Sequence, residues 1–305
     1  MAISMTEFTD ARISHLLPFP AEDANKYTRG FLTVIGGSAP YPGAICMASK
    51  AAYMVGAGYV EAVASDEALP ILRAYNVEAV ARSFGEWDIS TSRLAAKKAG
   101  HPCACLIGSG LDPNDKVARE IFVSVLDVCR HPTVIDGGAI GWLASEEGRS
   151  LASACAARKA PLVVTPHMGE AARLAAPLVI KPPDESDAGA QELASYAEEL
   201  SQAYCATVVL KGPDTYISSP DSSPVVVMKQ GTAALAKAGT GDVLAGMIAG
   251  ILAQGLEPLN AATLGATLHA RAGIEASIKM SEISVGAPDV IAYIPSAIRH
   301  FADAV

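Results

Sequence analysis

The sequence lacks a hydrophobic run long enough to cross a membrane. Its longest uninterrupted run of small apolar residues, from Val243 to Ala253, has eleven residues, whereas a membrane-spanning helix needs about 20. The N-terminus also lacks the basic segment followed by an apolar segment that is typical of a secretory signal peptide. The sequence therefore predicts a cytoplasmic protein with no membrane partner.

An excess of basic residues is also missing. The chain has 23 Lys and Arg against 32 Asp and Glu, which gives a net charge of −9 at pH 7. Proteins that bind the phosphate backbone of nucleic acids usually carry clustered basic residues. We therefore expect no nucleic-acid partner.

The sequence has few of the motifs that hold metals or activate a serine nucleophile. Its six cysteines include no C-x-x-C pair, and it contains neither H-E-x-x-H nor G-x-S-x-G. Because zinc sites and α/β-hydrolases depend on such spacings, we expect no metal site made of protein side chains alone and no hydrolase of that class. Scattered, unpaired cysteines are typical of a reduced compartment.

What the sequence does contain is a regular alternation of strand-like and helix-like segments. Short apolar runs rich in β-branched residues are separated by segments of helical periodicity, such as 114–129 and 185–203. The strand-like runs cover 31–35, 59–64, 103–107, 133–136, 161–165 and 207–212. Continuously apolar strands joined by helices indicate a mostly parallel sheet that is covered on both faces. The predicted fold class is therefore α/β.

The pattern changes after residue 212. Two strand-like runs, DTYIS and PVVVM, flank the turn-rich SPDSSP and predict a hairpin at the edge of the sheet. Three helical segments follow, at 242–254, 257–278 and 287–302. Because half of the residues are hydrophobic and no long linker is present, the chain is expected to form one compact domain.

A glycine-rich segment at the start of the first of these helices is the strongest candidate for a functional site. Gly239, Thr240 and Gly241 precede Asp242. The glycines let backbone N–H groups converge on an anion, and the helix N-terminus adds a favourable potential, so a phosphate site is predicted. The same potential is expected to keep Asp242 ionised, as the base of a phosphoryl transfer must be. The alternative is an aspartate that only caps the helix.

A second candidate is the segment Lys211-Gly212-Pro213-Asp214-Thr215, which follows an apolar strand. A lysine at the end of a buried strand either extends to solvent or meets an anion. Ligands of open α/β sheets lie beyond the carboxyl ends of the strands. The two glycine-containing segments are therefore compatible with one nucleotide site.

Three further turns follow predicted strands. The segments 36–44 and Gly108-Ser109-Gly110 contain several glycines but do not match the dinucleotide fingerprint G-x-G-x-x-G, and taken alone each is more often a simple turn than a ligand site. Thr165-Pro166-His167 ends another strand, where the imidazole of His167 either caps a helix or packs in the core, which is the more common case, or donates to a ligand. His269, in a helix rich in Ala and Leu, is interpreted as a packing residue.

Taken in order, the motifs of this chain resemble those of the ADP/ATP-dependent NAD(P)H-hydrate dehydratase family, a branch of the ribokinase-like superfamily. The resemblance covers residues from about 26 to 303. The matching segments are KYTRG, VIGGS, YPGA, GAGYV, IGSGL, VID, VTPHMGE, VVLKGPDT, AGTGDVLAGMIAGILAQG and LGATLHARAG.

This resemblance implies a single ribokinase-like α/β/α domain over residues 26–305, preceded by an N-terminal extension over residues 1–25. It also implies a repair reaction, in which ADP or ATP drives the removal of water from the hydrated nicotinamide ring of NADHX or NADPHX. Mg²⁺ would accompany the nucleotide phosphates. A separate epimerase would supply the reactive epimer, and a homo-oligomer, such as a tetramer, is expected.

The resemblance assigns residues to the two ligands. It gives Lys211, Gly212, Pro213, Asp214, Thr215 and Gly241 to the nucleotide, beside the phosphate-binding amides of Gly239 and Thr240. It gives Ala44, Gly110, His167 and Asp242 to the damaged cofactor. Asp242 is expected to deprotonate the ring hydroxyl while the amides stabilise charge on the phosphoryl group. The sequence differs from the family pattern at Met54, Ser109, Gly137, Gly138, Lys237 and Ala238.

Two other functions are compatible with these motifs. A ribokinase-like kinase of a small vitamin-precursor alcohol, of the hydroxyethylthiazole or hydroxymethylpyrimidine type, would use the same aspartate but release a stable phosphoester. A non-catalytic nucleotide sensor would bind ADP and leave NADHX unchanged.

Overall fold

The computed structural model describes residues 2–96, 100–184, 187–221 and 223–303. Within these ranges, ten strands form a single sheet. The strands are β1 (Met5–Thr6), β2 (Phe31–Ile35), β3 (Tyr59–Ala64), β4 (Val80–Ser83), β5 (Cys103–Ile107), β6 (Thr133–Ile135), β7 (Leu162–Val164), β8 (Ala206–Leu210), β9 (Thr215–Ser218) and β10 (Val225–Met228). Their order across the sheet is β1-β10-β9-β8-β7-β6-β5-β2-β3-β4. Strand β9 runs antiparallel to both of its neighbours and the other pairs are parallel, so the predicted mostly parallel sheet is confirmed.

Helices cover both faces of this sheet. They are α1 (Asp10–Leu16), α2 (Pro42–Met54), α3 (Leu69–Tyr75), α4 (Lys116–Val128), α5 (Gly138–Leu143), α6 (Glu146–Ala157), α7 (Met168–Ala175), α8 (Ala190–Tyr204), α9 (Thr240–Leu252), α10 (Pro258–Lys279) and α11 (Ala287–Ala302). Buried side chains of α1 to α3 and α9 to α11 form one hydrophobic core, and those of α4 to α8 form the other. The α/β class is therefore confirmed, with three layers.

The predicted elements correspond closely to the observed ones. Each of the six predicted parallel strands is present, although β8 ends at Leu210 and leaves Lys211 just beyond the sheet. The helix predicted at 185–203 is α8, which begins at Ala190, and residues 185–186 lie outside the described ranges. The three later helices are confirmed, with α9 starting two residues earlier than predicted.

The predicted hairpin exists as β9 and β10, but its position at the edge of the sheet is wrong. Strand β1 pairs with β10 and covers it, because Met5 lies opposite Val225 and Thr6 opposite Val226. An uncovered β10 would present unpaired backbone groups to solvent. Within the next helix, α1, Ile13 is 1% exposed and belongs to the core. The division into an extension at 1–25 and a domain at 26–305 stays a prediction.

The helix that begins at the candidate phosphate site packs very closely against α2. A Cβ atom placed on Gly246 of α9 would lie 2.1 Å from the backbone oxygen of Ala48, and one placed on Gly250 would lie 2.8 Å from the Cα atom of Ala52. Only glycine permits this approach. The small residues of α9 therefore fix the position of its N-terminus relative to the sheet.

The order of the strands creates a place where a ligand can enter. Chain order reverses between β5 and β2, since β2 connects outward to β3 while β5 connects in the opposite direction to β6. In open α/β sheets ligands bind outside the carboxyl ends of the strands at such a point. Within the described ranges, every helix is too short or too polar to cross a membrane.

Candidate active site

Neighbouring parallel strands bring polar residues to one edge of the sheet. Asp136 directly follows β6, His167 follows β7 and Lys211 follows β8. The N–H group of Lys211 donates to the backbone oxygen of Pro166 over 2.8 Å, which ties two of these loops together. The Lys211 ammonium also lies beside Gly241 of α9, since a Cβ atom placed there would be 3.5 Å from Nζ. The two candidate segments therefore meet in space, as the sequence predicts.

A cavity of about 660 Å³ opens at this place, within the range that holds small-molecule ligands and cofactors. Part of its lining is polar and comes from Lys211, Gly212 and Gly241. Another part is apolar, with Met228, Leu235, Leu244, Ala266 and Ala270. The cavity can therefore hold a ligand that has a charged tail, which would contact the polar lining, and a flat ring system, which would pack against the apolar lining.

The N-terminus of α9 has the backbone geometry of an anion site. Gly239 adopts φ +93°, a left-handed conformation that favours glycine, and leaves the helix without a side-chain cap. First-turn N–H groups have no acceptor inside a helix. The hydroxyl of Thr240 lies 2.6 Å from the backbone oxygen of Leu235 and 2.8 Å from that of Lys237. Thr240 therefore holds the loop with its hydroxyl, and its backbone N–H also donates to the oxygen of Lys237, over 3.4 Å.

The ammonium of Lys211 meets anions. Its Nζ lies 3.3 Å from Oδ1 of Asp136 and 3.7 Å from Oε2 of Glu170. Burial lowers the pKa of Lys211, but Asp136, Glu170 and Asp242 outweigh burial and raise it above the ordinary value. Lys211 is therefore a protonated, mostly buried cation, and not a side chain that extends to solvent.

The structure corrects the expected ionisation of Asp242. Burial, followed by the nearby carboxylate of Asp136, raises its pKa to about 7, while Ser109 and Lys211 lower it. The potential of the helix N-terminus was expected to keep this group ionised, whereas burial and Asp136 move its pKa in the opposite direction. A carboxyl group with a pKa near 7 can exchange a proton at neutral pH, which suits a general base.

His167 caps a helix and also reaches the cavity. Its Nδ1 accepts the N–H of Gly169 over 3.0 Å, and Glu170 accepts the backbone N–H of His167 over 2.9 Å. Because Nδ1 is an acceptor, a neutral ring carries its proton on Nε2. The ring also lines the cavity, so the two alternatives for His167 are compatible with each other.

The remaining predicted site residues divide between the cavity and its surroundings. Gly212, Pro213, Thr215, Thr240 and Gly241 line the cavity. Asp214, Gly239, Ala44, Gly110 and Asp242 are outside its lining. Ala44 and Gly110 adjoin one another, because a Cβ atom placed on Gly110 would lie 2.6 Å from Cβ of Ala44.

Sequence reasoning assigned no role to several residues of this cluster. Asp136, whose Oδ1 accepts the Thr165 hydroxyl over 2.6 Å, occurs in the VID motif but was given no role. Glu170 stands three residues after His167, a spacing that signals only a capping box. Ser109 is completely buried, and its hydroxyl lies close enough to Asp242 to lower the pKa of that carboxyl group. Its proximity to Asp242 comes from the fold and not from spacing along the chain.

The interpretation of His269 as a packing residue is incomplete. The side chain is 7% exposed, yet it lines the cavity. Its Nε2 has no hydrogen-bond partner in the described part of the chain. Burial lowers the pKa of His269 to about 4, so the ring is neutral at physiological pH.

The site fits Mg²⁺ only as a companion of phosphate. This cation takes oxygen ligands and usually keeps several waters. The described ranges contain no group of three His, Cys, Asp or Glu side chains arranged to hold a metal. The carboxylates of Asp136 and Glu170 lie beside Lys211, 3.3 Å and 3.7 Å from its Nζ. The residues therefore fit an ion held mainly by nucleotide phosphates and water.

Comparison with known proteins identifies relatives along almost the whole chain. It is 34% identical over 288 residues to the ADP-dependent (S)-NAD(P)H-hydrate dehydratase of Neisseria meningitidis serogroup B, covering 92% of this chain and 90% of that protein. It is 33% identical to the bifunctional NAD(P)H-hydrate repair enzyme of Moorella thermoacetica, covering 95% of this chain and 53% of that protein. The ADP/ATP-dependent NAD(P)H-hydrate dehydratase from Bacillus subtilis, co-crystallized with ATP and Mg²⁺, matches with a TM-score of 0.81 and 25% identity over 99% of both chains.

The fold is ribokinase-like, as the motifs imply, because it also matches a ribokinase-like superfamily protein from Enterococcus faecalis with a TM-score of 0.78 and 25% identity, covering 98% of this chain and 96% of that one. The cavity lies at the carboxyl edge of the sheet. Residues 32–296 match the NAD(P)H-hydrate dehydratase family. The chain belongs to that family, and the resemblance inferred from its motifs is confirmed.

Proposed function

We propose that this protein restores NADH or NADPH by removing water from the hydrated cofactors (S)-NADHX and (S)-NADPHX, in a reaction driven by ADP or ATP. The observation that carries the proposal is the placement of Asp242, with a pKa of about 7, in the first turn of α9 beside Lys211. The names of the relatives and the match to a dehydratase crystallised with ATP and Mg²⁺ support it.

The nucleotide occupies the cavity. Its adenine lies against the apolar wall, and its phosphates face the protonated Lys211 and the first turn of α9. Gly212, Pro213 and Thr215 line the same cavity, while Asp214 completes their loop. Gly239, Thr240 and Gly241 contribute backbone groups, because the Thr240 hydroxyl already donates within the protein.

The damaged cofactor lies on the other side of Asp242. Ala44 and Gly110 adjoin one another there, next to the reversal of chain order between β2 and β5. His167 lines the nucleotide cavity where it borders this position. A neutral ring carries its proton on Nε2, 3.6 Å from Oε2 of Glu170, because Nδ1 accepts a backbone N–H, and this proton can be donated to the cofactor. The reacting hydroxyl then lies between Asp242 and the terminal phosphoryl group.

Asp242 accepts the proton of the ring hydroxyl as that oxygen attacks the terminal phosphorus of the nucleotide. The bond to the bridging oxygen breaks and AMP leaves from ADP, or ADP from ATP. Lys211 and the amides of α9 stabilise the transferring group. The electron pair of the ring nitrogen then expels phosphate, and loss of the proton on the neighbouring carbon restores the dihydropyridine.

The proposal also includes a metal ion, a partner enzyme, a cellular location and an oligomeric state. Mg²⁺ accompanies the nucleotide phosphates and neutralises part of their charge. A separate epimerase supplies the S epimer, in keeping with a bifunctional relative about twice the length of the match. We place the protein in the cytoplasm as a homo-oligomer, such as a tetramer.

The test combines purified protein with NADHX, Mg²⁺ and either ADP or ATP, and follows recovery of reduced-nicotinamide absorbance together with release of phosphate. We expect both signals in equal amounts, and Asp242→Asn is expected to reduce the rate by about 10²- to 10⁴-fold, as for loss of a general base. Absence of recovery with both nucleotides, in a protein shown to be folded, would overturn the proposal.

A further inference from the structure

One wall of the cavity is an irregular segment, residues 229–237, which joins β10 to α9. Most of its residues line the cavity, and most are exposed to solvent. Its regular structure is a single 3-10 turn, Ala233–Leu235. Because exposed irregular segments open more easily than a core, the contacts that hold this segment determine the shape of the cavity.

Glu282 provides such contacts from the turn between α10 and α11. Its Oε1 accepts the hydroxyl of Thr232 over 2.6 Å and the backbone N–H of Ala233 over 3.1 Å. The Thr232 hydroxyl also accepts the N–H of Ala234 over 3.2 Å and lies 3.4 Å from Oγ of Ser277. Glu282 and Thr232 therefore satisfy the first N–H groups of the short turn, which have no acceptor within it.

The turn that carries Glu282 is itself fixed to the protein. Val285 is completely buried in the core, and its N–H donates to the backbone oxygen of Ser281 over 3.3 Å. Lys237, at the far end of the cavity wall, donates from Nζ to the backbone oxygen of Ile283 over 2.5 Å. The turn therefore holds both the middle and the end of the wall.

The wall held in this way borders both candidate segments of the site. A Cβ atom placed on Gly231 would lie 3.6 Å from the backbone oxygen of Pro213. At the other end, the Thr240 hydroxyl donates to the backbone of the wall, at Leu235 and Lys237. Glu282 itself is outside the lining of the cavity, so it can act on a ligand only through the wall.

We propose that Glu282 is a positioning residue for the adenine nucleotide, which holds residues 230–236 in their binding conformation before the nucleotide arrives. The inference rests on the proposed function, because it requires a nucleotide in this cavity. Without the carboxylate, binding must order the segment, and the loss of conformational entropy reduces affinity. The chemical step is not affected, because Gly241 and Asp242 lie on α9, which packs closely against α2.

Two variants with side chains of about equal length test this role. Glu282→Met removes the acceptor oxygen, whereas Glu282→Gln keeps one. Calorimetric titration should show about fivefold weaker ADP binding for Glu282→Met, the value of one hydrogen bond, and nearly wild-type binding for Glu282→Gln. The KM for ADP should rise by the same factor, while kcat and the KM for NADHX change by less than about twofold. A residue that only stabilised the fold would not separate the kinetic constants in this way.

Hydrogen exchange provides a readout that is independent of turnover. In the nucleotide-free protein, the amide of Ala233 should exchange faster in Glu282→Met than in the wild type, and saturating ADP should restore its protection. The matched control is Glu199→Met on α8, which removes a carboxylate that accepts the Ser195 hydroxyl over 3.2 Å outside the cavity lining. This control should bind ADP as the wild type does.

Equal ADP affinity of Glu282→Met and the wild type would overturn the inference, as would equal losses in Glu282→Met and Glu282→Gln. Because Glu282 is exposed, both variants are expected to fold, and unfolding of Glu282→Met would show a structural role instead. A folded wild type that binds neither ADP nor ATP would overturn the proposed function and the inference with it. ADP binding that depends on Glu282, without recovery of NADH, would overturn the proposed function alone.

Discussion

At the scale of single residues, the site is governed by the competition between burial and charge. Asp242, Asp136 and Glu170 contribute three carboxyl groups around a single lysine. Coulombic repulsion and loss of hydration both disfavour full ionisation of such a group. Asp242 is the carboxyl group whose ionisation is most disfavoured, since its pKa is raised to about 7. The arrangement supplies a base at neutral pH and costs the folded state some stability.

This cost predicts that Asp242→Asn is more stable than the wild type at neutral and alkaline pH. The folded-state pKa of about 7 lies above the ordinary value of 3.8, so between these values the native state binds more protons than the unfolded state. Stability therefore falls as pH rises through this window. Thermal unfolding should show a higher Tm for the variant at about pH 8, with the difference shrinking toward about pH 5. A lower Tm for the variant at alkaline pH would contradict this account.

Ser109 predicts a change in the pH dependence of the reaction. Its buried hydroxyl lowers the pKa of Asp242, so Ser109→Ala should move the acidic limb of the kcat/KM profile to higher pH. The rate at alkaline pH should stay near that of the wild type, because Asp242 is then ionised in both proteins. The control is Ser49→Ala, which removes the hydroxyl of a buried serine elsewhere in the protein, on α2. An acidic limb that stays in place in Ser109→Ala would show that the hydroxyl has no electrostatic role.

At the scale of elements, α9 links the packing of the core to the position of the site residues. One face of the helix packs against α2 through Gly246 and Gly250, while its first turn carries Gly241 and Asp242. The position of the acid therefore depends on how closely two helices approach. Such close packing has little tolerance for added volume.

A methyl group on this face should be destabilising. Gly246→Ala would place its Cβ 2.1 Å from the backbone oxygen of Ala48, and overpacking of this kind costs about 1–3 kcal/mol. The matched control is Gly141→Ala in α5, where a Cβ atom would meet nothing within 4 Å. That change should gain up to about 1 kcal/mol through helix propensity. Denaturant unfolding of both variants measures the difference, and equal midpoints would refute the packing argument.

At the scale of the whole molecule, the parallel sheet and the two candidate segments were predictable, because apolar strands and glycine-rich turns are local signals. The convergence of Asp136, Ser109 and Asp242 was not, since these residues are distant in the sequence and meet only when the strands are in order. The direction of the pKa shift of Asp242 was predicted wrongly, because the helix potential is visible in the sequence and burial is not. For His269, the helical pattern showed that the ring is buried but not that it faces a cavity.

The N-terminal residues give the last prediction, which concerns the boundary expected at residue 26. Strand β1 covers the outer edge of β10, and Ile13 of α1 is buried in the core. A chain that starts at residue 26 should therefore unfold at a lower temperature and associate through the exposed strand. Two substitutions in the full chain distinguish the loss of core packing from the exposure of β10: Ile13→Ala removes a core side chain while β1 stays in place, and Phe19→Ala is the control. Ile13→Ala should cost about 2–5 kcal/mol without association, and Phe19→Ala, at a side chain 66% exposed, should change stability by less than about 0.5 kcal/mol. Thermal unfolding measures stability, and light scattering measures association.

A truncated protein that is as stable as the full chain and associates no more than it does would show that residues 26–305 fold independently, because β1 and α1 would then add nothing to the sheet or the core.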